Sequence, residues 1–248
     1  SANGTRAHFR IWAQNRGGGK AANDAASAQW SQMYADAHSG LQLLYLTEYA
    51  SFYSQSVLGY GIAAVEDWVE YNDYNPIAKT GNGNAIGNAS GNTATDAITT
   101  GAAAKDVYLK YRGIENLYGH IWKFVDGYKV NNNIPYLCNN FANFSDAEST
   151  ANYTNPKDVN GAAITMPNEG GYQGTLELTG RAFMPASITG GAADKKITDY
   201  YYQASGWRVV LSGGHALNAA LGGAFYLSAS YVLAVVNRSF GGRLVLRK

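Results

Sequence analysis

A chain of 248 residues suits one large domain or two small ones and can bury a sizeable core. Only 15% of its residues are charged and the formal net charge is +1, against roughly 25% charged in ordinary soluble domains. That balance excludes a basic footprint for nucleic acid or an anionic membrane, and polarity comes instead from Asn, Ser, Thr and 19 tyrosines.

The opening stretch SANGTRAHFRIWAQNR lacks the apolar run of a secretory leader. Residues 1–27 support only a weak assignment, and 28–248 read as one domain. Residues 17–26 are Gly/Ala-rich and predict a loop. The GGGK within it is not a phosphate loop, because Gln14 stands where the first Gly is needed and Ala21 replaces the Ser/Thr that holds magnesium. From Ala28 to Val57, Leu41, Leu44, Tyr45, Glu48, Tyr49 and Phe52 recur at three-and-four spacing between Gly40 and Gly59, which predicts a core-packing helix. Residues 80–101 and 139–160 are Asn-rich and loop-like.

Between those loops, YRGIENLYGHIWKFVDGYKV (residues 111–130) is dense in aromatics without convergent acids, bases or metal ligands, and so reads as scaffold. Trp122 and Phe124 belong in the core, and Arg112 with Glu115 suits a buried charge-assisted pair. Cys138 is the sole cysteine, so no intrachain disulfide forms, and a small buried hydrophobe is expected. His8, His38, His120 and His215 lie at no metal-ligand spacing, and no GxSxG or HExxH occurs. No metal, no cofactor and no enzymatic activity are expected.

The end of the chain carries the strongest pattern. GWRVVLSGG and FGGRLVLRK, both regular, flank the segment His215 to Ser239, which contains no Lys, Glu, Gln, Met or Trp although the rest of the chain uses all five. Those five are unreachable when both adenines of an AAC codon are randomised; the resulting NNC encodes small, polar, aliphatic and aromatic residues and never a stop. Ala216 to Val236 is long and apolar enough to mimic a membrane span. Asn218, Ser228, Ser230 and paired glycines interrupt it, and Phe225 to Ser230 alternates with period two, so no membrane insertion is predicted.

This frame resembles the variable region of the target proteins of diversity-generating retroelements, which have a C-type lectin fold and include phage tail receptor-binding proteins of the major tropism determinant kind. LYLTEY, RGIEN with GHIWK, DYYYQ with GWRV, and GG…FGGRL occur in the family's order, so the resemblance covers about Leu41 to Leu246. It implies an α+β fold of the C-type lectin kind, with two helices packed on a short, twisted, mostly antiparallel sheet, and a hypervariable region at about 213–240. It also implies a display site for a protein or glycan on a host or target cell, carried on a virion or cell surface.

Against the family's template, the asparagine positions fall at His215, Leu217, Asn218, Leu221, Tyr226, Ser228, Ser230, Tyr231, Val235, Asn237 and Ser239, which become the expected ligand-binding set. Ala216 stands where the template often has Trp. If the segment is displayed, GWRVVL and GRLVLRK become neighbouring strands. Phe225, Leu227 and Ala229 then face inward with Trp207, while Tyr226, Ser228 and Ser230 face outward.

GHIWKF also resembles the formylglycine-generating enzyme branch of the fold, but one cysteine cannot supply that branch's paired-cysteine chemistry, and Lys123 occupies the place of an acidic ligand. The calcium triplets of sugar-binding animal lectins are absent too. That enzyme and a non-variable structural tail or adhesin subunit are the alternatives.

Overall fold

The computed structural model describes residues 3–17, 29–64, 80–94, 106–189 and 197–246, and within them the chain is α+β. Most of the loop expected at 17–26 and the end of that at 80–101 lie outside these residues. Helix α1 (Arg6–Gln14) begins at Thr5, whose hydroxyl accepts the His8 N–H at 3.2 Å while the His8 ring accepts the Thr5 N–H. This is a capping box with His in the place usually held by Glu.

The helix expected over Ala28 to Val57 is instead a strand and two helices: β1 (Trp30–Gln32), α2 (Ala35–Tyr49) and α3 (Ser54–Leu58). The break is at Ala50, which adopts φ 49° and closes α2 by donating its N–H to Leu46 O. Of the periodic residues, Tyr45 is fully buried against Leu58, Leu109, Tyr111 and Tyr118, whereas Leu44 faces solvent.

Strands β2 (Gly91–Ala94), β3 (Val107–Tyr111) and β4 (Ile114–Glu115) form a small antiparallel sheet. The β3–β4 hairpin turns on Arg112 and Gly113, both at positive φ, as a two-residue turn of this kind requires. That turn overturns the expected Arg112–Glu115 pair. It sends Arg112 outward to Glu48 at 2.9 Å, while the Glu115 carboxylate accepts the N–H groups of Gly81 and Gly83.

The central sheet comprises β5 (Trp122–Asn131), β6 (Ile134–Leu137), β7 (Gly171–Leu178), β8 (Phe183–Thr189), β9 (Tyr200–Gln203), β10 (Trp207–Ser212), β11 (Leu227–Ala229) and β12 (Phe240–Gly241). Its order is β12-β5-β10-β11-β9-β7-β8, with β6 also paired to β5. The sheet is mixed: β11–β9 and β12–β5 are parallel, and its other pairings are antiparallel. It is larger than the short sheet expected.

GWRVVL and GRLVLRK are not neighbours. Strand β10 has its two edges occupied by β5 and β11, so β13 (Leu244–Leu246) pairs with β1 in a separate two-stranded sheet.

Where β10 pairs with β5, the register jumps from Val209↔Lys129 to Val210↔Val125, leaving Asp126 to Tyr128 as a bulge. Gly127 sits there at φ 64°, where a Cβ would meet Phe144 at 2.6 Å and Cys138 O at 2.8 Å. Helix α1 docks on this bulge through charge. Arg6, fully buried, donates to Val125 O and Tyr128 O and pairs with Asp146, and Arg10 grips both oxygens of Asp126 at 2.7 Å. The first residues are thus part of the domain and not an appendage.

Cys138 is buried beside Phe144 and Tyr153, as expected. Trp122, Phe124 and Phe225 are buried too, but Trp207 is half-exposed. It opens β10 and rests on Tyr136 and the Lys129 ammonium.

Candidate binding site

Glycines set the entrance to the segment His215 to Ser239. Gly213 and Gly214, at φ 84° and 75°, turn the chain out of β10. Gly223 then passes so close to Asp199 that a Cβ would lie 2.1 Å from its carboxylate.

The backbone of the segment is held largely by residues outside it. Gln42 Nε2 donates to Ala224 O, Gln55 Nε2 to Ala219 O and Gln173 Nε2 to Phe225 O, all at 2.8–2.9 Å. Ser54 Oγ accepts the Ala224 N–H and Asp199 accepts the Phe225 N–H. Buried backbone groups need such partners, and these five side chains all come from the frame.

What the segment's own side chains do is different. Trp122, Tyr202, His215, Leu217, Asn218, Tyr226, Ser228, Ser230 and Tyr231 enclose a pocket of about 440 Å³. Seven of these nine belong to the eleven expected positions. The His215 ring stacks on Trp122 with centroids 3.6 Å apart and planes 13° from parallel. Asn218 Oδ1 accepts the His215 N–H and meets its Nδ1, both at 2.7 Å. Trp122 Nε1 donates to the Tyr226 hydroxyl at 3.0 Å, and the Ser228 and Ser230 hydroxyls bond each other at 3.1 Å.

Burial lowers the His215 pKa to about 4, against the opposing pull of its Asn218 bond, so the imidazole is neutral near pH 7. No residue lining the pocket then carries a formal charge.

The alternation expected along β11 holds on one side only. Phe225, Leu227 and Ala229 are buried, but so are Tyr226 and Ser228, each 1% exposed; Ser230 is half-buried. The reason is a second core on the far face, where Trp122, Phe124, Val209, Leu211 and Phe240 pack around Tyr226. The expected flat, solvated display face is a walled pocket with Leu217 exposed at its rim.

The remaining positions separate from it. Leu221 ends a 3-10 turn (Ala219–Leu221) and is half-buried, as is Val235. Asn237 and Ser239 are buried, because Asn237 Oδ1 accepts the Ser239 N–H and hydroxyl in a turn leading to β12. Those two side chains are occupied in structure. Ala216, at the position where the template often has Trp, is fully buried, and its N–H donates to His120 O.

Sequence reasoning missed Tyr202 and placed Trp122 in the core alone. A signal for Tyr202 exists in DYYYQ: in a strand Tyr200 and Tyr202 share a face while Tyr201 takes the other. Tyr201 is fully buried in the opposite core, and the Tyr200 and Tyr202 rings lie 4.4 Å apart.

Lys123 in the GHIWKF run is buried, and its ammonium donates to Gly119 O at 2.7 Å. Among the described residues, no three of His, Cys, Asp and Glu gather as a metal site, and no helix is long and apolar enough to cross a membrane. No family model matches the chain, and no curated protein matches it.

Proposed function

We propose that this chain is a hypervariable ligand-binding protein, diversified by a retroelement, which presents a replaceable pocket on a rigid scaffold of the C-type lectin kind. The observation that carries the reading is convergence. Eleven positions were singled out by codon logic and family template with no reference to space, and seven of them meet in one pocket.

The hydrogen bonds from Gln42, Ser54, Gln55, Gln173 and Asp199 to the segment's backbone support it further. Where the main chain is fixed by others, its path does not depend on which side chains the segment carries. The lining mixes Tyr with Ser, Asn and His, the combination of rigid anchors and adaptable polar groups that antibody loops use. The partner is a molecule on a host or target cell surface, with the protein carried on a virion or cell surface. A pocket without thiol, carboxylate or amine gives the formylglycine-generating alternative no foothold.

Deep sequencing of this gene across a natural population tests the reading. Differences are expected to concentrate at His215, Leu217, Asn218, Tyr226, Ser228, Ser230 and Tyr231 and to spare Trp122, Tyr202 and the frame. Differences spread evenly along the chain would leave a non-variable structural subunit.

A further inference from the structure

From the chemistry of the pocket walls, and resting on the reading of this pocket as the ligand site, we infer that its occupant is an uncharged aromatic side chain inserted by a protein partner. Charge comes first. The lining offers neither cation nor anion, His215 included, so an ionised group entering the pocket loses its water without gaining a counter-charge.

Hydrogen bonding points the same way. A sugar needs its several hydroxyls met by amides, carboxylates or guanidinium groups. Here Asn218 Oδ1 bonds His215, the Tyr226 oxygen accepts from Trp122, and Ser228 and Ser230 share one bond, so each of these groups already has a neighbour as partner. Breaking those pairs to receive hydroxyls exchanges one set of bonds for another, whereas a side chain with few polar atoms leaves them intact.

The remaining surface is aromatic. Tyr202 and Tyr231 are both half-buried and line the pocket. Rings favour other rings set edge-on or offset against them. A protein loop that inserts one such side chain, as an anchor at the centre of an interface, fits this wall and this volume.

The test uses the whole chain labelled with 15N-tryptophan, its Trp122 indole resonance assigned with Trp122→Phe. Four compounds are titrated in: N-acetyltryptophanamide, N-acetyl-lysinamide, N-acetylaspartate amide and methyl β-galactoside. The tryptophan amide is expected to shift the Trp122 indole signal saturably, with a Kd at least tenfold below the other three. Tyr231→Ala is expected to weaken it at least tenfold, with the melting temperature within a few degrees of the parent.

Sugar or lysine binding as tightly at that resonance overturns the inference and leaves the variable-site reading standing. No saturable shift with any compound also overturns it. A population in which the pocket residues never vary would remove the variable-site reading while leaving the measured selectivity in place.

Discussion

Two regions of this molecule bind their neighbours by opposite means. At the bulge of β5, helix α1 docks through a buried network of full charges, with Arg6, Arg10, Asp126 and Asp146 exchanging contacts at 3.3 Å or less. At the pocket lined by His215 to Tyr231 the walls carry no formal charge, and Trp122 bonds Tyr226 while Ser228 bonds Ser230. A buried charge network tolerates no single loss, because the abandoned partner stays desolvated. In a neutral pocket a removed side chain takes with it packing and single neutral hydrogen bonds, such as that of Tyr226 with Trp122, and strands no full charge. The first region depends on paired full charges, the second on neutral packing and hydrogen bonds.

The largest expected effect therefore lies far from the pocket. Asp126→Ala leaves Arg10 without its bidentate partner and is expected to cost about 3–5 kcal/mol in chemical denaturation. A cost below about 1 kcal/mol would mean that α1 is held by Phe9 and its apolar contacts alone.

Within the segment His215 to Ser239, burial divides the tyrosines. Tyr226→Ala removes a ring that is 1% exposed and is expected to cost about 3 kcal/mol as well as disturbing the pocket. Tyr231→Ala removes a half-buried ring, with an expected cost of about 1 kcal/mol or less. Equal costs would erase the distinction between core and rim.

The third effect depends on pH. His215 has an ordinary pKa of 6.5 when unfolded and about 4 when folded. Between those values the unfolded chain binds a proton that the folded chain refuses. Its contribution to stability is thus complete above pH 6.5 and is lost as pH falls towards 4. That slope amounts to at most about 3 kcal/mol and should be shallower by that amount in His215→Phe, measured by denaturation at pH 7, 5.5 and 4.5. Parallel pH curves would show that the imidazole is not shielded. The smallest effect belongs to Leu217→Ser at the exposed rim, where stability is expected to change by less than about 0.5 kcal/mol.

How legible each region was in the sequence follows from the same contrast. The segment His215 to Ser239 stands out through its missing amino acids, a compositional signal that needs no knowledge of space. Seven of the expected positions meet in one pocket because they sit close together along the chain, after the turn at Gly213 and Gly214. The α1 clasp joins residues 116–140 positions apart, and nothing in the local pattern of Arg6 or Arg10 points to Asp126 or Asp146. The α2 helix was visible from its periodicity, but its end was not, since Ala50 takes a left-handed conformation that a sequence reader assigns to Gly or Asn. The alternation along β11 correctly gave the inward face. It failed on the outward one because period-two patterning cannot tell a solvated face from one covered by a second core.

Sequencing the chromosomal or viral locus tests the proposed origin of the pocket residues most directly. A near-copy of the codons for about Gly213 to Leu246 is expected close by, beside a reverse-transcriptase gene. It should differ from the expressed copy almost only at adenines, with AAC codons opposite most of His215, Leu217, Asn218, Leu221, Tyr226, Ser228, Ser230, Tyr231, Val235, Asn237 and Ser239. A locus without such a repeat, or a repeat whose differences fall evenly on all four bases, would contradict the claim that this pocket is made to be rewritten.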